Sequence, residues 1–451
     1  MSIKKTCILS FLCFGVWLLS FQVPLAGEVP PANEGTLSLD RVVSLCLHNN
    51  LDVRVAQEKV LGQLAQVRKA GAERLPSATI TGMYTRIGVV PTFEIPGYEE
   101  IKFVNPNMVN LSMTVDYPLL DWGMAKDQVA IERLGLKSQE LNAVLQKKAF
   151  IRQLSLLYFN ILQVQESQGV VKENMALIED ILVILRRQYA AALIPEHQIL
   201  QTEVALETLK SQQLDLDRAR TEMMITLKNV CGLPLGQEVV LEKLEKKGDF
   251  LAVPRSSLLE KASLGREEFE VLRLQLDILE KTRGIIAKTR LPLVATAFKA
   301  ELKNGIMPDV DKLKTNWNIG LTVIYNLFDG QATRFEQETL RHEIAGLRLS
   351  QERLERDVQA NLEKLLDHLQ RLEQRLVIEK KRLSLAQKSL DLARESFKES
   401  QATYLEVLNA QSNYNLAESS VVALAYQEFM QIVHLEFELY PLSYFLSREE
   451  K

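Results

Sequence analysis

The sequence predicts a mainly α-helical chain with a β-barrel part, built as two tandem repeats of helix, β-hairpin and long helical hairpin. Three observations carry this expectation. Proline and glycine are scarce, 14 and 20 in 451 residues, and Leu119 to Ile194, Glu196 to Leu233 and Asp309 to Tyr440 contain no proline, so helices there can run unusually far. Segments of one half recur in the other at nearly constant spacing. Segments near the middle of each half alternate apolar and polar residues with the period of a strand that has one wet face.

Met1 to Gly27 has the pattern of a signal peptide: Lys4 and Lys5, an apolar run from Cys7 to Leu19, then Ala26-Gly27. Its removal takes away two lysines and no acids, moving the net charge from −4 to −6, a poor balance for a nucleic-acid partner. Cys46 and Cys231 then remain of four cysteines. A single bridge between them and two buried apolar thiols both fit. Beyond residue 27 no run of eighteen apolar residues exists, so any membrane span must use strands.

The internal repeat is read from three pairs of segments. Arg74-Leu75-Pro76 returns as Arg290-Leu291-Pro292, 216 residues on, and Tyr117 to Asp121 as Tyr325 to Asp329, 208 residues on. Tyr189 to Leu200 lies opposite Phe397 to Leu408, again 208 apart. The difference of eight places an insertion in the first repeat around Pro91, Pro96, Gly97 and Pro106. The first repeat spans 28–236, with strands near 77–90 and 108–118 and long helices over 124–194 and 197–231. A charged linker occupies 237–257. The second repeat spans 258–440, with strands near 292–303 and 316–328 and helices over 331–399 and 403–439, leaving a tail at 441–451.

The strands point to a membrane. Val109, Leu111, Met113, Val115 and Tyr117 alternate with Asn110, Ser112, Thr114 and Asp116, and Trp317, Ile319, Leu321, Val323 and Tyr325 repeat the pattern. Aromatic residues stand at both ends of the apolar face, with Tyr117, Trp317 and Tyr325 as the expected girdle of a strand that has lipid on one side and water on the other. Four strands cannot close a barrel, so strands that span require an oligomer. From Leu340 to Phe397 apolar residues recur in steps of three, four or seven, a coiled-coil seam some eight heptads long. Both long helices turn back, near Ile194-Pro195-Glu196 and Ser400-Gln401-Ala402, so two turns form one far tip.

These marks together resemble the TolC-like outer-membrane efflux protein family. The resemblance rests on Leu37-Ser38-Leu39-Asp40 with Asn49-Asn50-Leu51, on Ala70 to Pro76, on Tyr117 to Gly123, on Val230 to Pro234, on Tyr325 to Gly330 and on Tyr404 to Gln411. It implies a homotrimer with a twelve-stranded barrel continued by an α-helical tunnel, located in the outer membrane with a periplasmic extension. It also implies a periplasmic adaptor (membrane fusion) protein and an inner-membrane transporter as partners, and no cofactor. At the tip it implies an aperture ringed by Glu406 and Asn409, and adaptor contact at Ala192, Leu193, Ile194, His197, Gln198, Ser400, Gln401 and Ala402. The family's glycines at the turns are Ala192 and Ser400 here. Its polar latch is poorly matched, because Phe397 lacks a hydroxyl and Ala402 a charge, which suggests a tip closed by apolar packing.

An enzyme is not expected. The histidines at 48, 197, 342, 368 and 434 lack ligand spacing, no CxxC exists, and the carboxylates lie on amphipathic helices where solvation is their ordinary role. The alternative reading is a periplasmic adaptor with a coiled-coil hairpin, which leaves the four strands unexplained.

Overall fold

A computed structural model of the protein describes residues 36–89, 92–93, 101–102, 104–243, 250–251, 253–263, 266–305, 309–399 and 401–446. The expected signal peptide, Pro91, Pro96, Gly97, part of the 237–257 linker, Ser400 and the last five residues lie outside them. The elements run in the order α1 (Leu39–Asn49), α2 (Leu51–Ala72), β1 (Ser77–Arg86), β2 (Thr92–Phe93), β3 (Ile101–Lys102), β4 (Asn107–Leu120), α3 (Met124–Ala190) and α4 (His197–Val230). There follow α5 (Arg255–Ser263), α6 (Glu267–Lys288), β5 (Leu293–Lys303), β6 (Lys314–Ile324), α7 (Ala332–Lys398), α8 (Tyr404–Leu439) and α9 (Leu442–Leu446). With 67 residues each, α3 and α7 are about 100 Å long at about 1.5 Å per residue.

The structure departs from the sequence expectation in four places. The single opening helix is two, because Asn50 ends α1 and caps α2: its side-chain oxygen accepts from Val53 N at 3.1 Å while its amide donates to Val230 O at 3.1 Å. Helix α5 begins at Arg255, inside the expected linker, and runs into the second repeat, where its Leu258 and Ala262 pack on Leu362, Leu366 and Leu435. The tail carries α9, which buries Leu442 and Phe445 against α3 and α8. Strand β6 stops at Ile324, four residues before 328, because Asp329 already organises the next helix.

Strands β1, β4, β5 and β6 form one sheet in the order β1-β4-β5-β6, antiparallel throughout. The register puts Ile80, Met113, Ala300 and Trp317 in one row and Thr81, Ser112, Glu301 and Asn316 in the next. One face is therefore apolar and the other polar. Ser112 and Glu301 on the polar face are buried, whereas Leu111, Met113, Ile319 and Leu321 on the apolar face are exposed.

Each passage from strand to long helix uses the same corner. Asp121 accepts from Gly123 N at 2.9 Å and Ala125 N at 2.7 Å, and Asp329 from Gln331 N at 2.9 Å and Thr333 N at 3.1 Å. The two residues after each aspartate are left-handed: Trp122 and Gly123 at φ 57° and 81°, Gly330 and Gln331 at 65° and 69°. One glycine per corner relieves half of the strain. It occupies the second position in one corner and the first in the other, so the backbone bend recurs while the residue that eases it moves.

Between the sheet and the tip, the helices are knotted by covalent and polar links. Cys46 of α1 is disulfide-bonded to Cys231 at the end of α4. Leu37 pairs with Leu241 in a parallel bridge, and the buried Tyr158 of α3 donates to Leu37 O at 3.0 Å and shares its hydroxyl with Glu242 O at 2.6 Å. Leu154, Ile161, Leu162, Leu227, Val433 and Phe437 surround this knot.

The corner aspartates make a prediction about acid. Burial alone would raise the Asp121 carboxyl, but the N–H groups of Ala125 and Gly123, with the Arg74 charge, outweigh it and hold it below the ordinary carboxylate range. The Thr333 hydroxyl and N–H, helped by Arg290, lower Asp329 likewise. Depressed carboxyls stabilise the fold above their unfolded value, near 3.9, and lose that contribution as pH falls through the folded one. Asp121→Ala should cost about 1 kcal/mol at pH 7. In thermal unfolding of the detergent-extracted protein, the gap between wild type and variant should close below about pH 4; a gap independent of pH would count against the cap.

Candidate functional site

Two regions concentrate chemistry, the sheet and the far tip. On the sheet, Tyr117 is registered with Thr296 and so with Leu321 near the helix end, while Trp317 is registered with Ala300 near the loop end. Tyr325 lies just past β6 and is exposed. Trp317 and Tyr325 are thus eight residues apart, about 27 Å at about 3.4 Å per residue, close to the roughly 25 Å apolar band of outer-membrane strands. Sequence reading missed Tyr84, whose ring lies exposed on the apolar face at the loop end and whose hydroxyl donates to Asn107 Oδ1 at 2.9 Å. It also missed Trp122, whose indole donates to Pro292 O at 2.9 Å across the helix end of the sheet. Among the described residues no helix is long and apolar enough to cross a membrane.

At the tip, α3 ends in a left-handed residue, Ala192 at φ 57°, with Leu193 N bonded to Gln188 O at 2.9 Å and Ala192 N to Tyr189 O at 2.8 Å. This is the Schellman closure that normally takes glycine. Gln401 N bonds to Ser396 O at 2.8 Å in the matching place, 208 residues on. Thr403 then caps α8 in a reciprocal box: Glu406 N donates to Thr403 Oγ1 at 3.4 Å and the Glu406 carboxylate accepts from Thr403 N at 2.9 Å. Glu406 and Asn409 are exposed one turn apart, and Leu193, His197 and Gln401 are exposed as well. Ile194, Gln198 and Ala402 are half-buried.

Behind this surface lies a closed interior. Ile178, Ile181, Leu182, Leu185, Ile199, Leu206, Tyr404 and Val407 form one buried cluster, with Phe397 packed edge-on to Tyr404 at 6.5 Å between ring centres. Two polar links cross it. The hydroxyls of Thr202 and Tyr404 are hydrogen-bonded to each other, with Thr202 fully buried and also donating to Gln198 O at 2.7 Å; one hydroxyl proton serves each bond in turn. A turn or two higher, the Gln411 amide donates to Asn174 Oδ1 at 3.0 Å and Asn415 Oδ1 at 2.8 Å while its oxygen accepts from Arg394 at 2.9 Å. These links join α4 to α8 and α3 to α7 and α8.

A model of the outer membrane efflux protein family matches residues 42–233, from α1 to the residue after Gly232. The match agrees with the resemblance read from the sequence over that stretch, which is less than half of the chain. Pyoverdine export outer membrane protein OpmQ of Pseudomonas aeruginosa is 21% identical over 318 residues, which are 67% of this chain and 64% of that protein. The match thus spans less than two thirds of that relative. The fold is that of the outer membrane protein VceC from Vibrio cholerae, with TM-score 0.74 at 16% identity over 89% of this chain and 95% of that one. The Campylobacter jejuni CmeC outer membrane channel gives TM-score 0.75 at 16% identity over 92% and 89%.

The tip geometry yields two stability tests. Tyr404→Phe removes the link but leaves Thr202 its bond to Gln198 O, so the loss should be about 1 kcal/mol; Thr202→Val with Tyr404→Phe should cost less than the sum of the two, read by denaturant unfolding as a double-mutant cycle. Ala192→Gly should stabilise by up to about 1 kcal/mol, since the left-handed backbone costs an alanine and not a glycine. A destabilised Ala192→Gly would mean that the turn is not left-handed.

Proposed function

We propose that the chain is one subunit of a homotrimeric exit duct, a passive outer-membrane channel that receives substrates from a periplasmic adaptor and an inner-membrane transporter. The observation that carries this reading is the four-stranded sheet, apolar on one face and, among the described residues, open at both edges. Lipid offers no partner for the N–H and C=O groups of β1 and β6, so the sheet must be completed by copies of itself. Strand β6 runs opposite to β1, so β6 of one copy can pair with β1 of the next and keep the antiparallel order. Two copies would give eight strands, whose interior is filled by side chains. Three give twelve, the number that the family resemblance implies, and leave room for water.

At the tip, three copies would bring Glu406 and Asn409 around one axis, with Ala192, Leu193, Ile194, His197, Gln198, Ser400, Gln401 and Ala402 forming the surface for the adaptor. Like carboxylates around an axis attract cations, and asparagine at 409 weakens that ring relative to two acids. We infer that the closed tip is held chiefly by the Ile178 to Val407 cluster, with Thr202–Tyr404 as its polar tie. His197→Ala and Gln198→Ala should therefore leave bilayer conductance near wild type; strong opening by either would sink the apolar account.

Single-particle imaging of the detergent-extracted protein tests the duct itself. A hollow threefold cylinder well over 100 Å long is expected from the helix lengths. A monomer, or a particle soluble without detergent, would overturn the channel reading and favour a periplasmic coiled-coil adaptor.

A further inference from the structure

The two hairpins of the sheet obey the sequence repeat residue by residue. Ser77 is registered with Asp116 in the first and Leu293 with Ile324 in the second, and the two pairs are related by the offsets of 216 and 208 residues found for Arg74-Leu75-Pro76 and for Tyr117 to Asp121. The chain also holds one junction between hairpins, β4 beside β5, where Asn110 is registered with Lys303, Val115 with Phe298 and Tyr117 with Thr296. Its counterpart in the repeat would join β6 to β1, yet these strands stand at opposite edges of the sheet.

The end of β6 carries the mark of that missing neighbour. Strand β4 runs up to its corner aspartate, because β5 lies alongside and pairs Pro118 with Ala295 and Leu120 with Val294. Strand β6 stops at Ile324, although Asp329 builds the same corner. With no strand beside it, the organisation of the corner prevails. Leu327 and Phe328 are accordingly 86% and 81% exposed, against 53% and 41% for Leu119 and Leu120 at the matching places.

We propose that β6 of one copy docks on β1 of the next in the register that β4 and β5 use inside the chain, and that this docking lengthens β6 to Phe328. The offsets then set Gly320, Thr322, Val323 and Tyr325 opposite Thr85, Met83, Gly82 and Ile80 of the next copy, and Phe328 opposite its Ala78. The faces agree: Ile80 and Gly82 lie in the rows of Met113 and Leu111, and Val323 lies on the face of Trp317. A slip of one residue would turn every one of these side chains to the wrong side. The register also sustains the tilt that closure of a barrel requires. A row that starts at Ile80 passes Met113, Ala300 and Trp317 and re-enters the next copy at Gly88, so each hairpin advances along its neighbour in the same direction. This docking rests on the duct reading, because only copies closed around an axis bring β6 and β1 together.

The test is oxidation of introduced cysteine pairs with copper phenanthroline, in membranes of cells producing the full chain, read as covalent oligomers on a denaturing gel. Residues directly opposite each other lie about 4.5–5.5 Å apart between Cα atoms, within reach of a disulfide, whereas a residue two places along lies about 7–8 Å away, beyond it. Thr322→Cys with Met83→Cys should therefore give at least about tenfold more covalent oligomer than Thr322→Cys with Thr81→Cys or with Thr85→Cys. Gly320→Cys with Thr85→Cys should exceed Gly320→Cys with Met83→Cys in the same way; a side chain at Gly320 meets nothing within 4 Å, which keeps the test decisive if the first pair fails to assemble. Preference for a slipped pair would overturn this register and leave the duct standing. Crosslinking by no pair, in a protein that is still extracted as an oligomer, would overturn the docking of β6 on β1. A chain extracted as a monomer would instead overturn the duct reading.

Discussion

The constraint behind this architecture is that backbone polar groups in lipid have no solvent to fall back on. In water, a four-stranded sheet with free edges is ordinary, but in hydrocarbon each unpaired N–H or C=O costs several kcal/mol. Among the described residues no helix is long and apolar enough to span instead. The sheet fits this constraint: its strands are ten to fourteen residues long, their even number would let copies join antiparallel, and alternation makes one face largely apolar and the other largely polar. On the proposed duct reading, stability of the sheet is therefore a property of the assembly rather than of one chain.

Above the sheet the physics reverses, because the long helices satisfy their own backbones and need only side-chain packing. The corner between the two regimes must be stiff, since a helix of about 100 Å magnifies any angular error at its base. Two left-handed residues locked by an aspartate supply that stiffness. The disulfide, the Leu37–Leu241 bridge and the Tyr158 hydroxyl then tie the start of the chain to α3 and α4 part-way along. The helices are thus fixed at two levels, while the tip is held by the Ile178 to Val407 cluster and the Thr202–Tyr404 link.

What could be read from the sequence follows from which signals are local. Alternation from Val109 to Tyr117 and the seam from Leu340 to Phe397 are periodic, and a period survives without knowledge of partners. The overrun of β6 shows the limit of this: Tyr325 and Leu327 continue the alternation, yet Asp329 has already claimed Thr333 N for the helix and Leu327 is 86% exposed. Helices α5 and α9 are too short to show a period. The Cys46–Cys231 bond and the Thr202–Tyr404 tie join residues 185 and 202 positions apart, and no local pattern announces either. Glu406 was legible as an acid at the tip, but its role as half of a capping box depends on the conformation of Thr403 and its spacing to the helix.

The buried polar links also bear on why so repetitive a wall adopts one register. A heptad seam looks nearly the same to its partner after a slip of seven residues, so apolar packing alone specifies alignment weakly. Gln411 is 1% exposed and satisfied by Asn174, Asn415 and Arg394 from three helices. If α3 slid by one heptad in one direction, Ile181 would replace Asn174 and strand the Gln411 amide at a cost of about 1–3 kcal/mol. The Thr202–Tyr404 pair would be broken by the corresponding slip of α4. A fully satisfied polar cluster adds little to stability, but it makes the wrong alignments expensive. On the proposed duct reading, that is the property required of a wall whose copies must all end at the same level to close one tip.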